Sequence, residues 1–158
     1  MENNKKGEPL ERSIEPAIEE KELLRLTAGG IVVNMEGKIL LVQQKGGNWV
    51  FPKGGINAEE DPLVATRREI LEETGIEEKD LAQVDDFEEK YERPDTDKAH
   101  VLQRISMFLF KTGKMEVMPM PDFEDEIIEA RWVAKDRVAE LLTAPKDKEF
   151  FLNILGKI

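Results

Sequence analysis

The sequence predicts an α/β domain, with a mixed β-sheet held between helical layers. Three observations carry that expectation. Short β-branched and apolar runs recur along the chain, as "GIVV", "ILLV" and "IIEARWV". A capped helical stretch, residues 62–74, sits among them. Two amphipathic stretches, "KDRVAELL" and "KDKEFFLNILGK", close the chain.

The elements follow in order. Residues 1–22 are polar, rich in Glu, and carry Pro9 and Pro16. They are expected to form a flexible acidic N-terminal arm, leaving residues 23–158 as one domain. "LRLTAGGIVVN" reads as a strand in which Gly29 and Gly30 allow a bulge or a close backbone approach. "EGK" is a tight turn into "ILLVQQ", so the two strands should form a hairpin. "WVFP" is a short strand stopped by Pro52, and "KGGINAEED" reads as a loop. Asp61 then suits the N-cap, Pro62 the first helical position and Gly75 the helix stop. Leu63, Val64, Ile70 and Leu71 give that helix an apolar side. "AQVDDFEEKYER" and "AHVLQRISMFLFKT" read as a strand pair around "RPDTDK", and "IIEARWVA" as a further strand.

Composition narrows the function. The net charge is −11, which disfavours nonspecific nucleic-acid binding. It also opposes an anionic substrate, unless a bound cation reverses the field locally. There is no cysteine and no apolar run long enough to span a membrane. A cytoplasmic protein without disulfides or thiolate chemistry is the expectation. Monomer and homodimer both stay open.

Chemistry concentrates in "REILEETG". Glu69, Glu72 and Glu73 stand at i, i+3 and i+4, on one helical face. Like charges so placed weaken a helix by roughly 0.2–0.5 kcal/mol per pair. A hard divalent cation relieves that repulsion, because Mg²⁺ takes oxygen ligands from carboxylates and substrate phosphates. In a chain with 34 acids, the trio alone fits a solvated acidic face equally well.

The wider segment decides between them. It resembles the Nudix box, G-x5-E-x7-R-E-U-x-E-E-x-G-U, where U is a bulky aliphatic residue. Gly54, Glu60, Arg68, Glu69, Ile70, Glu72, Glu73, Gly75 and Ile76 fill all nine fixed positions at the right spacing. "FPKGG" and "IIEARWV" are also similar to the family, so the resemblance spans about residues 25–145. It implies a Nudix-type α/β/α sandwich and Mg²⁺-dependent hydrolysis of a nucleoside diphosphate linked to another group, with Mn²⁺ as an alternative ion. It also implies that Glu72 and Glu73 are the main metal ligands, joined by Glu69 and the Gly54 carbonyl. Arg68 would orient the glutamates, and Glu60 would support the loop–helix geometry. Many members carry Pro-Gly before the first Glu, where this chain has Ala58-Glu59.

Outside the box the family often uses a further acid before the last strand. Glu124, Asp125 and Glu126 are available, and Glu126 has the usual spacing to Trp132. Glu126 and Glu69 both stand as the base that activates water. Lys53 is a candidate phosphate contact, with Lys45 and Arg104 behind it. Tyr91 lies 15 residues past Ile76, an offset at which some diadenosine polyphosphate hydrolases place a base-stacking tyrosine. His100 is expected at an edge or near substrate, and Trp49 and Trp132 in the core or a pocket wall. The expected activity is a pyrophosphohydrolase acting on a nucleotide polyphosphate, above all a dinucleoside polyphosphate such as diadenosine tetraphosphate. RNA 5′ ends, ADP-ribose or nucleotide sugars, and diphosphoinositol polyphosphates are the alternatives. So is a non-catalytic nucleotide-sensing domain.

Overall fold

A computed structural model of the chain describes residues 22–94 and 100–158, with side chains for 24–89 and 101–158. Among the described residues seven strands form a mixed sheet. They are β1 (Glu22–Val33), β2 (Ile39–Gln44), β3 (Trp49–Val50), β4 (Lys53–Gly55), β5 (Ala82–Pro94), β6 (His100–Lys111) and β7 (Ile127–Val133). The helices are α1 (Pro62–Thr74), α2 (Val138–Leu141) and α3 (Pro145–Ile154). The sheet order is β3-β2-β1-β6-β5, with β4 paired to β1 and β7 to β2.

The chain forms two compact units. Residues 27–89 and 105–158 make the larger, and the described residues of the smaller are 22–26, 90–94 and 100–104. The described part of the smaller unit consists of strand ends of β1, β5 and β6.

Period-two alternation sorts the strands of the larger unit onto two faces. Val32, Leu40 and Phe110 meet Ile70, Ile76 and Leu81 in one core that seats α1 on the sheet. Each such apolar side chain contributes about 1.5–3 kcal/mol when fully buried. Ile31, Ile39 and Leu41 project the other way and are fully buried. The C-terminal helices supply the layer there, where Phe51 meets Phe151 of α3 at 6.1 Å between ring centres. The sheet thus lies between helical layers, as the sequence predicts.

The hairpin from β1 to β2 turns on Asn34, whose side-chain oxygen accepts from the amides of Glu36 and Lys38. β2 then pairs antiparallel with β7 from Ile39↔Val133 to Gln44↔Ile127, through a bulge at Gln43 and Gln44. Helix α1 has the expected caps. Asp61 accepts from the Leu63 amide at 3.0 Å, and Gly75 adopts φ 79° and returns its N–H to Leu71. Val64 departs from the expected apolar side and is 56% exposed, whereas Ile70 is fully buried.

Lys53–Gly55 also differs from expectation. It is a short strand, not the start of a loop, and pairs antiparallel with Thr27–Gly29. Three residues with two glycines have little strand propensity of their own. The pairing rests on Gly29, where a Cβ would run into the Lys53 side chain and approach the Pro52 carbonyl oxygen to 2.7 Å. The Gly30 amide donates to that same carbonyl.

Glu59 takes φ 63°, the left-handed region. This is where the family pattern commonly has glycine. A non-glycine residue there costs roughly 1–2 kcal/mol, partly offset by the chain entropy that glycine loses on folding. Glu59→Gly should therefore raise stability by about 0.5–1 kcal/mol. Urea unfolding checks it: the midpoint should rise with an unchanged slope.

Candidate metal-dependent hydrolytic site

Helix α1, β4 and the loop between them bring the acids together. Arg68 is the hub. Its Nε and Nη2 donate to the two carboxylate oxygens of Glu60 at 2.8 and 3.0 Å. Nη1 donates to Glu69 at 2.8 Å and reaches Glu72 at 3.5 Å. Nη2 also donates to the Gly55 carbonyl at 3.0 Å. One guanidinium therefore ties the loop, β4 and the helix face together, through a two-pronged carboxylate contact of the strong type.

Glu60 lies on the loop side of that contact. Its hydrogen bonds from Arg68 and from the Asn57 amide hold its carboxyl well below the ordinary range, at about 2. The guanidinium is correspondingly harder to deprotonate. Glu60 thus stays ionised and acts as a fastener.

The other acids are pushed the opposite way. Glu73 is 8% exposed. Burial, then the charge of Glu69 beside it, raises its carboxyl to about 9. The Lys53 amide donates to it, but its Oε1 is buried with no hydrogen-bond partner. Glu72 is raised by partial burial, next by Glu69, and also by Glu126. Glu126 on the turn before β7 is thus within Coulombic reach of Glu72. Its carbonyl accepts from the Lys45 amide at 2.8 Å, which joins the two loops.

Gly54 lies directly against Glu69. A Cβ at this position would collide with the Glu69 carboxylate, so only glycine leaves room for the acid. The chain also secures the far end of α1. Residues 118 and 120 run past it, and their amides donate to the carbonyls of Thr74 and Glu72 at 3.0 Å each. These bonds satisfy carbonyls that the helix leaves open at its last turn.

These residues fit a hard divalent cation. The donors are all oxygen, one of them a buried carboxylate oxygen with no partner, and the carboxylates repel one another without a cation. Among the described residues no three acidic or histidine side chains already converge at ligand spacing. Glu69 and Glu72 are turned to Arg68 instead.

The remaining expected site residues divide. Lys53 is close by, but its Nζ is bound to Asp147 of α3 at 3.2 Å. Lys45 is exposed on its turn. Arg104 belongs to the smaller unit. The side chains of Tyr91 and His100, and residues 95–99 of the expected turn "RPDTDK", lie outside the described residues. Trp49 is buried beneath Arg131 at 4.7 Å, and Trp132 donates to the Met115 carbonyl. Sequence reasoning missed Asp147 and Glu89. Glu89, on β5, is raised to about 7 by burial and then by Asp147. Lys53 and Asp147 are 94 positions apart, and no local pattern signals the pairing.

Known proteins resemble the chain as follows. A NUDIX domain family model matches residues 23–154. An RNA pyrophosphohydrolase of Actinobacillus succinogenes is 41% identical over 58 residues, 36% of this chain and 29% of that protein. The m7GpppN-mRNA hydrolase dcap-2 of Caenorhabditis elegans is 31% identical over 135 residues, 80% of this chain and 16% of that protein. The chain therefore spans less than a third of either relative. A C. elegans Ap4A hydrolase structure superposes with a TM-score of 0.69 and 18% identity, covering 84% of this chain and 96% of that one. At that identity the likeness shows the fold. No helix among the described residues is long and apolar enough to cross a membrane.

The raised acids set a pH dependence. Folded Glu73 keeps a proton that the unfolded chain releases in the ordinary carboxylate range. Between that range and about pH 9 the folded state binds more protons, so stability falls as pH rises. Glu89 adds the same sign up to about pH 7. Metal-free protein should thus lose stability from pH 7 to 8.5, with a limiting slope of about 1.4 kcal/mol per pH unit. Glu73→Gln should flatten that limb. Urea unfolding with a chelator present measures both.

Proposed function

The chain belongs to the NUDIX family, and from that premise we propose that it is a Mg²⁺-dependent pyrophosphohydrolase of nucleoside polyphosphates. The observation that carries the reading is Glu73: a buried carboxyl with an unpartnered oxygen, beside two further glutamates on the same helix face. A protein at −11 can hold a polyphosphate when cations neutralise both partners.

Glu69, Glu72, Glu73 and the Gly54 carbonyl would hold Mg²⁺, with Mn²⁺ as a substitute. The cation would supply charge neutralisation at the phosphoryl oxygens and a bound water of lowered pKa. Glu72 has the longest bonds to Arg68, at 3.5 Å, so it is the acid most readily turned toward a cation. Arg68 keeps Glu69 in place. Glu126 or Glu69 takes the proton from the attacking water. The water oxygen bonds to phosphorus, the anhydride P–O bond breaks, and its electron pair leaves with the departing phosphate. Lys45, Arg104 and Tyr91 are the candidates for substrate contact, joined by Lys53 only where its ammonium leaves Asp147. The absence of cysteine supports a cytoplasmic setting.

Dinucleoside polyphosphates of the diadenosine tetraphosphate type are the first substrate class. The "NWVFPKGGI" lead-in to the box and the position of Tyr91 support it. A second reading is removal of pyrophosphate from RNA 5′ ends, supported by the RNA pyrophosphohydrolase relatives. The charge of −11 stands against it.

Hydrolysis of a substrate panel with Mg²⁺, read by product mass, tests the proposal. It spans dinucleoside polyphosphates, 5′-triphosphorylated RNA, ADP-ribose and diphosphoinositol polyphosphates. Turnover of a dinucleoside polyphosphate is expected. Glu73→Gln should lower it by more than the roughly 10- to 100-fold typical of residues behind the metal ligands. Unchanged turnover in that variant removes Glu73 from the site. Tight binding with no turnover of any panel member would instead make the domain a nucleotide sensor.

A further inference from the structure

Lys53 opens β4 and immediately precedes Gly54. Its Nζ donates to Asp147 Oδ1 at 3.2 Å, between side chains that are both largely buried. Asp147 is 5% exposed and lies on α3 near Phe150 and Phe151, both core residues. An ionised acid in such a place is costly unless paired, so the bond to Lys53 is what makes the position tolerable. Glu89, from β5, is within Coulombic reach of the same lysine and of Asp147. The ammonium is thus bonded to one acid and lies in the field of a second from another element.

Lys53 is gripped at two further points. Its backbone amide donates to the Glu73 carboxyl. Its side chain packs where a Cβ on Gly29 would otherwise lie, in register with that residue across β1. Side chain, backbone and strand register all fix this residue. A lysine kept free for a substrate phosphate needs none of these contacts, and an ammonium already bonded to a buried acid is a weaker anion anchor.

We propose that Asp147 is a positioning residue of the hydrolytic site: by anchoring Lys53 it fixes the Gly54 carbonyl and the Glu73 carboxyl in the arrangement a divalent cation requires. The proposal rests on reading the site as a metal-dependent hydrolase. It makes α3 part of that site and assigns the Lys53 ammonium to the scaffold instead of to substrate.

The test uses the full chain, with Mn²⁺ alone as a binding probe and steady-state hydrolysis beside it. Asp147→Asn should weaken Mn²⁺ binding by ~10-fold, as partners behind metal ligands do. It should lower kcat by a similar factor and leave KM within about twofold, because no substrate contact is lost. Lys53→Met should match it. The double variant should be no worse than either single one, since both act through one contact. Glu140→Gln removes the same charge from an exposed position on α2 and should change nothing. If Asp147→Asn fails to fold, the double variant replaces the ion pair with neutral groups and carries the comparison with Lys53→Met.

Unchanged Mn²⁺ affinity and kcat in folded Asp147→Asn, or in the double variant, overturns the proposal. So does a Lys53→Met protein with raised KM and normal Mn²⁺ affinity, which would return Lys53 to the substrate. A wild-type protein that binds Mn²⁺ but turns over nothing defeats the hydrolase reading, and the Mn²⁺ arm still decides the role of Asp147.

Discussion

Arg68 holds the acids of the site in their places. It is bonded to Glu60 and Glu69, reaches Glu72, and spans to the Gly55 carbonyl. Through it the loop carrying Glu60 is joined to the helix carrying the trio. One positive group cannot satisfy all four acids, however. Glu73 lies beyond it, buried and with one oxygen unpartnered. The site is thus built short of one cation. Under the proposed function, a divalent cation would make up that deficit.

The scaffold serves the same end. Gly29 lets β4 close on β1, which sets Gly54 beside Glu69 and the Lys53 amide against Glu73. Amides at positions 118 and 120 fasten the last turn of α1 from outside. Asp147 approaches from α3 and grips Lys53. Three regions of the chain therefore support a helix whose acidic face would repel itself if isolated. Glu59 in the left-handed region is the strained point of the loop that makes this possible.

The sequence was legible wherever the determinants are local. Asp61 and Gly75 cap α1 as their chemistry dictates. The spacing of Glu69, Glu72 and Glu73 fixes their shared face whatever surrounds the helix. Legibility fails where a contact depends on distant chain. Lys53–Gly55 has glycine-rich loop chemistry, and only Gly29 makes it a strand. Asp147 looks like one more surface acid in the first turn of a helix. Its burial depends on a lysine 94 positions earlier. Glu89 reads as part of an acidic strand, and its raised carboxyl follows from packing and from Asp147. Val64 fits the apolar pattern yet faces outward, because the core needs only Leu63 and Ile70 from that side.

Under the proposed function, a cation held by Glu73 displaces the proton that burial and the charge of Glu69 keep on its carboxyl. Calorimetric titration of the protein with Mg²⁺ at pH 7.5, in two buffers of different ionisation enthalpy, counts protons released on binding. Release of about one proton per bound ion, lost in Glu73→Gln, is the expected result. Mg²⁺ binding with no proton release, or with equal release in Glu73→Gln, would contradict it.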